Sequence, residues 1–334
     1  MKNLIACAYI FFTTVLPFFV QGQDIKSIKE TYSKVKFSYD KVTGIGYEKG
    51  CTRRDPSDVI KVGEKYYVYY TKIYSRAPGY WGTVWYAVSK DDGYSWEEKG
   101  EILGLGKKDK FDSQATFTPN ILYAKGKYYL YYTGVKPTPG NAKGEFENNS
   151  TTDITAIGVA VSSSPDGPFE RVSNEPVLKV SVEPEKFDSY RVDDAVLMYR
   201  NGLYWLYYKG RSRNHGGGGP AHTQMGAAFS KYPEGPFTKL DQPLLDKSHE
   251  VMLWQQGTGI GALASLSSTL EYAADGIDFM SNKTSVKAEN RPKAAGVFRQ
   301  DLTDSSIKGE GLNWGISMVH NGNECYLIRY RCYR

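Results

Sequence analysis

The chain has 334 residues, 40% hydrophobic and 24% charged, which is enough apolar material for a sizeable core and excludes a disordered polymer. Its formal net charge of +5 comes from Lys and Arg interspersed with Asp and Glu. No basic run or nucleic-acid motif accompanies that charge, so a mixed solvated surface is expected and no nucleic-acid partner. Aromatic residues make up 14%, with Tyr (27) well ahead of Phe (14). A Tyr- and Gly-rich chain with short Val/Ile/Tyr runs reads as all-β, and Tyr suits sugar sites because its ring stacks while its hydroxyl hydrogen-bonds.

The opening MKNLIACAYIFFTTVLPFFVQGQ has an early Lys, an apolar stretch and a small residue at Gly22. This is the pattern of a secretory signal peptide spanning 1–22. Thr13, Thr14 and Pro17 interrupt the apolar run, and no basic stop-transfer flank follows, which argues against a membrane anchor. Export to the periplasm or outside the cell is therefore expected. Cys7 would leave with the signal, and Cys51, Cys325 and Cys332 would remain. Export permits a disulfide, but an odd count leaves a thiol over. A bridge closing a ring and free buried thiols are both open, and the spacing does not suggest a zinc site.

Residues 23–43 read as a short helical or irregular extension, with SIKETYSKVK weakly amphipathic, and residues 44–334 as one domain. Within that domain a unit of short strand, Gly turn and aromatic strand recurs: DVIKVGEKYYVYYTK (58–72), NILYAKGKYYLYYTG (120–134) and AVLMYRNGLYWLYYKG (195–210). Each is followed by a small-residue strand, a turn and an aromatic: VWYAVSKDDGYSW (84–96), AIGVAVSSSPDGPF (156–169) and MGAAFSKYPEGPF (225–237), with a looser copy at 262–279. Asp-Asp-Gly, Pro-Asp-Gly, Asn-Gly and Glu-Gly supply hairpin turns. Repeated four-stranded sheets of this kind predict a β-propeller. Three clear blades, a fourth starting near His249 and a last one from Gly296 predict five. The insert at 211–225, with its glycines at 216–219, lacks the strand–helix context of a phosphate loop and reads as flexible chain near the site.

Inner strands of a propeller bring their starts together at one end of the axis. Tyr66 and Tyr204 stand 138 positions apart, and the same offset carries Asp55 to Asp193. The two acids are therefore expected to face each other across the funnel mouth. Blade four opens with His249 and Glu250, and blade two contributes Gln114, Thr116 and Thr118. Convergent carboxylates with a third protonatable group are what glycosidic cleavage requires: one group protonates the leaving oxygen and another activates water. An Asp at a strand end also caps turns, and that bland role leads for Asp58, Asp112 and Asp194. His215, His222 and His320 read as loop or surface residues. Arg54, Arg191, Lys209 and Arg211 read either as ion-pair partners of the acids or as holders of sugar hydroxyls. A non-catalytic glycan-binding propeller is the competing class. The polar set differs from blade to blade, which favours one catalytic site over repeated lectin sites.

The segments CTRRDPSDVIKVGEKYYVYYTK, FDSQATFTPNILYAKGKYYLYYTGV, DSYRVDDAVLMYRNGLYWLYYKGRSR and HEVMLWQQGTGIGALAS resemble glycoside hydrolase family 117, the α-1,3-L-(3,6-anhydro)galactosidases or neoagarooligosaccharide hydrolases. The resemblance implies a five-bladed propeller and an exo-acting, inverting mechanism. It implies release of 3,6-anhydro-L-galactose from the non-reducing end of agar-derived oligosaccharides. It casts Asp55 as the base, Asp193 as the acid that tunes and positions, and His249 or its neighbour Glu250 as the proton donor, with a lean to His249. It leaves room for a homodimer and for a hydrated divalent cation near the axis, with no cofactor required. The family's N-terminal dimerisation motif is not found here. Arabinosidase or other anhydrogalactosidase specificity is the nearest alternative.

Overall fold

The computed structural model describes residues 25–73, 82–136, 154–280, 284–302, 311–322 and 324–334. The expected signal peptide thus lies outside the described residues. Five antiparallel sheets form the five blades. In blade one the inner strands Thr52–Arg54 and Ile60–Val62 both pair with Lys65–Ile73, and Thr83–Ser89 and Glu97–Leu103 lie outside them. Blade two runs Ala115–Ala124, Lys127–Lys136, Ile154–Ser162, Glu170–Arg171. Blade three runs Arg191–Arg200, Leu203–Arg211, Gln224–Ser230, Thr238–Lys239. Blade four runs Leu253–Gln256, Gly259–Ala264, Thr269–Ala273, Val286–Lys287. Among the described helices none is long and apolar enough to cross a membrane.

Blade five corrects the expected boundary between an extension at 23–43 and a propeller at 44–334. Its three inner strands are Gly296–Val297, Trp314–Asn321 and Glu324–Tyr333, and its outermost strand is Lys36–Lys41. The first part of the presumed extension is a helix, Ile25–Ser33, which buries Ile28 and Tyr32 among Trp254, Leu263 and Leu270 of blade four. The second part carries Phe37 into the core opposite Cys332. The ring closes through this strand and through Val59, whose N–H donates to Val297 O at 2.9 Å and whose carbonyl accepts from Arg299 N at 3.0 Å. Cys51, Cys325 and Cys332 are all free thiols, so backbone hydrogen bonds close the propeller.

The high Tyr content has a structural use. Tyr69, Tyr131 and Tyr207 occupy equivalent places on the second strands of blades one, two and three, and are almost wholly buried. Each phenol donates to a carbonyl in the outer hairpin turn of the next blade: Tyr69 to Pro165 at 2.6 Å, Tyr131 to Pro233, and Tyr207 to Gly276 at 2.9 Å. A single side chain thus supplies apolar area inside its own blade and a polar tie to its neighbour. The adjacent tyrosines serve a second device. Tyr132 and Tyr208 donate to Asp112 and Asp188, both at 2.8 Å, under the stacked rings of Phe111 and Phe187. The Phe-Asp-Ser motif repeated at 111–113 and 187–189 is therefore a clamp on the blade, which accounts for Asp112.

Removing one blade-to-blade tie leaves a buried carbonyl without its donor. Tyr207→Phe is expected to lower unfolding stability by about 1–3 kcal/mol, measured by urea denaturation, with no change for Tyr199→Phe, whose side chain is exposed.

Candidate active site

The inner strands share one irregularity. In blade three the ladder runs from Asp193↔Lys209 to Val196↔Tyr207, so three steps on the inner strand match two on its partner. Blade two does the same between Phe117 and Asn120. In blade one Arg54 pairs with Thr71, and Ser57 N donates to Tyr69 O. In blade five Met318 N donates to Lys293 O, and Gly296 pairs with Ile316. Each is a β-bulge, which adds a residue, breaks the ladder and re-aims a side chain. The re-aimed residues are Asp55, Thr118, Asp194 and Ala294, with φ of 49, 44, 53 and 39°. Asp tolerates this left-handed conformation, whereas a β-branched Thr there is strained.

These bulges surround a narrow cleft of about 30 Å³ at the mouth of the funnel. Its walls come from consecutive pairs on all five blades: Asp55-Pro56, Thr118-Pro119, Asp194-Ala195, Glu250-Val251 and Ala294-Ala295. Four carboxyl residues thus line one small space: Asp55 and Asp58 of blade one, Asp194 of blade three and Glu250 of blade four. Asp55 is held by Arg54, Nε to Oδ2 at 2.7 Å. Asp194 is held by Lys209, Nζ to Oδ2 at 2.9 Å. Burial pushes the Asp194 carboxyl up to about 7, with the charges of Asp193 and Asp55 adding to the rise and Lys209 opposing it. Glu250 is anchored by its backbone N–H to Ser265 Oγ at 3.0 Å, while its buried Oε2 meets no hydrogen-bond donor among the described residues.

His249 stands behind this wall. Its Nδ1 lies 3.2 Å from Pro220 O and 3.3 Å from Thr223 Oγ1. The carbonyl can only accept, so Nδ1 carries the hydrogen and Nε2 is the lone-pair nitrogen of a neutral ring. Burial pulls the imidazole down to about 4; Lys209 and Arg211 add to that, and Glu250 and Asp193 oppose it. At neutral pH the ring is therefore a proton acceptor.

Below the cleft the axis is filled by Arg299. Its Nη1 lies 3.3 Å from Asp58 Oδ2 and donates to Leu197 O at 3.0 Å. Asp58 Oδ1 also accepts from Val297 N at 2.8 Å. Asp58 is thus a tie between blades one, three and five. A guanidinium already neutralises the axial carboxylate, so the axial residues do not fit a divalent cation, and none of the chemistry below depends on one.

Comparisons with known proteins agree with this geometry. The family model for glycosyl hydrolases family 43 matches residues 51–195. A structure of Zg3597, a family 117 glycoside hydrolase produced by the marine bacterium Zobellia galactanivorans, superposes with a TM-score of 0.76 at 28% identity, covering 89% of this chain and 90% of that one. The chain is a propeller glycoside hydrolase. Its resemblance to family 117 extends over nearly the whole chain. The endo-arabinase of Bacteroides thetaiotaomicron superposes with a TM-score of 0.53 at 14% identity over 89% of this chain and 98% of its own, a likeness of fold. Arabinan endo-1,5-alpha-L-arabinosidase B of Emericella nidulans is 37% identical over 117 residues, and the match spans only 23% of that protein.

The hydrolase brings together Asp55, Glu250 and Thr118 from the sequence-based set, and places Asp194 beside them. Asp193 is not in the cleft: its side chain is 0% exposed, 3.0 Å from Lys209. The offset of 138 is one short because blade one carries a second bulge between Ser57 and Ile60. The bulge, not the aromatic strand, sets the equivalence, and it pairs Asp55 with Asp194. A signal was present. Pro56 and Pro119 each follow the re-aimed residue, and a residue that cannot donate to a ladder marks a bulge. Thr116 is fully buried with its hydroxyl on Leu103 O at 3.2 Å, and so is lost to a sugar. Thr118 pairs its hydroxyl with Thr133 at 2.6 Å. Arg191 and Arg211 face each other across the ladder, both buried and both near the Tyr190 ring, and with Gln114 they stand outside the cleft wall.

The lowered His249 pKa gives a stability signature. A depressed folded-state pKa contributes stability above the unfolded value of 6.5, lost as pH falls toward about 4. Thermal unfolding from pH 7 to 4 is expected to show an acid loss that His249→Asn reduces, by at most about 3 kcal/mol.

Proposed function

We propose that this hydrolase removes a terminal α-linked sugar from galactan oligosaccharides, and that its substrate is a neoagaro-oligosaccharide from which it releases 3,6-anhydro-L-galactose by inversion at the α-1,3 bond. The observation that carries the catalytic part is the convergence of Asp55, Asp194 and Glu250 on one cleft. The family 117 likeness supports the substrate and the exo mode.

In this reading Glu250 protonates the leaving glycosidic oxygen, and Asp55, paired with Arg54, takes a proton from the attacking water. Asp194 faces both and holds the sugar. The proton donor is assigned to Glu250 rather than His249. Glu250 lines the cleft with an open oxygen, whereas His249 stands outside the wall, neutral, with its one N–H spent on Pro220. The signal-like first 22 residues support action in the periplasm or outside the cell, and a homodimer is part of the same proposal. The second reading is an arabinosidase, favoured by the family 43 match and by the arabinan-cleaving relative.

Product analysis with neoagarobiose, longer neoagaro-oligosaccharides and arabino-oligosaccharides separates the two. Anhydrogalactose is the expected product, with the inverted anomer seen first by proton NMR. Glu250→Gln should lose about 10²–10⁴-fold in rate and Asp55→Asn at least as much, while His249→Asn should retain more activity than either. Arabinose release would replace the substrate. Binding without cleavage of any of these sugars would leave a glycan-binding propeller.

A further inference from the structure

The Asp193–Lys209 pair has no role in the chemistry above, yet it is built with care. Successive carboxylates on one strand grip one ammonium on the next: Lys209 Nζ lies 3.0 Å from Asp193 Oδ1 and 2.9 Å from Asp194 Oδ2. Consecutive residues of a regular strand point to opposite faces. The bulge after Asp193, together with φ of 53° at Asp194, is what lets both reach the same cation. Exposure falls along the chain of contacts, from 17% for the Asp194 side chain to 6% for Lys209 and 0% for Asp193. Among the described residues no hydrogen-bond donor is well aligned with either oxygen of Asp193, so its burial is offset by the ion pair with Lys209. A fully buried carboxylate is costly. A hydrophobic residue would fill this place at lower cost if packing were its only task.

We propose that Lys209, fixed from behind by Asp193, is a positioning residue that aims the Asp194 carboxyl into the cleft and governs its charge. This rests on the reading of the cleft as a glycosidase site with Asp194 in it. The charged groups around Asp194 are Asp193 on its own strand, Lys209 on the neighbouring strand, Asp55 from blade one and Glu250 from blade four. His249, also from blade four, and Arg211 stand beyond Lys209. Both acids pair with the same ammonium, so they compete for its charge when both are ionised. Asp193 therefore has two opposing effects. It holds the cation in place, and it competes for that cation's charge. The competition keeps Asp194 poised between its acid and its carboxylate, so that one side chain can donate to or accept from a sugar hydroxyl.

The two partners then have opposite signatures, which a packing role would not produce. The ¹³Cγ titration of Asp194 is followed in Asp-labelled protein and assigned by the signal lost in Asp194→Asn. A neighbouring charge moves a carboxyl by about 1–3 pH units. Asp193→Asn, an isosteric change, is expected to move the Asp194 midpoint down by about one unit or more. Lys209→Met is expected to move it up, and Lys209→Arg to keep it near the wild-type value. If Lys209→Met does not fold, the downward shift in Asp193→Asn decides alone. Midpoints that stay put in Asp193→Asn, or that move the same way in both neutralising variants, overturn the proposal. The titration needs no substrate, so a failure to cleave neoagarobiose would sink the substrate reading and leave this result standing. Where hydrolysis is observed, the limb of the pH–rate profile that Asp194→Asn abolishes should move with the NMR midpoint.

Discussion

The bulge of the inner strand is the constraint on which this molecule depends. A regular strand alternates its side chains between the two faces of a blade, and both faces of a propeller blade are packed against neighbours. No regular inner strand can aim a carboxylate at the axis. One extra residue with left-handed φ breaks that alternation once and turns Asp55, Thr118, Asp194 and Ala294 toward the funnel. The strain, of order 1–3 kcal/mol per residue, is tolerated because the blades around it are over-determined. Tyr69, Tyr131 and Tyr207 tie each blade to the next, and Asp58 with Arg299 locks the axis beneath.

The same geometry fixes the electrostatics. Four carboxyls line one cleft, and their partners differ: Arg54 on Asp55, Arg299 on Asp58, the divided Lys209 on Asp194, and no ion pair among the described residues on Glu250. Acid–base work on a glycosidic bond needs carboxyls whose proton affinities differ. In the proposed mechanism His249 is not the proton donor. Close to Lys209 and Arg211 and hydrogen-bonded to Pro220, it adds no positive charge at neutral pH to a site already balanced by lysine and arginine.

The all-β class, the five blades and the blade units were legible because they rest on local signals: alternation, hairpin Gly and repeated aromatic strands. The membership of Lys36–Lys41 in blade five was not, because the last strand it pairs with lies nearly 300 positions away and nothing local announces the partner. The lining of the cleft was legible in part. Asp55, Thr118 and Glu250 follow from strand starts, but counting along blade one passed over a second bulge and chose Asp193 over Asp194. A bulge is an insertion of one residue, and an alignment by offset absorbs it without trace unless a proline marks it. Thr116 failed for the ordinary reason of strand parity: two residues before Thr118 the chain is still regular, and the side chain points into the blade.

Five equivalent places on a near-symmetric scaffold could each have carried an acid, yet two of them hold Thr118 and Ala294. Charge density explains the restraint. Burial and its acidic neighbours already push Asp194 up to about 7. Asp58, which also lines the cleft, is engaged by Arg299 and by Val297 N. Ala294 keeps the backbone turn without adding a charge. Thr118 keeps the turn by spending its hydroxyl on Thr133 and its N–H on Thr71, which secures blade two to blade one beside the mouth. Asymmetry at the mouth is thus obtained on four blades by varying the side chain that the bulge re-aims, while blade four supplies Glu250 from the segment just before its inner strand.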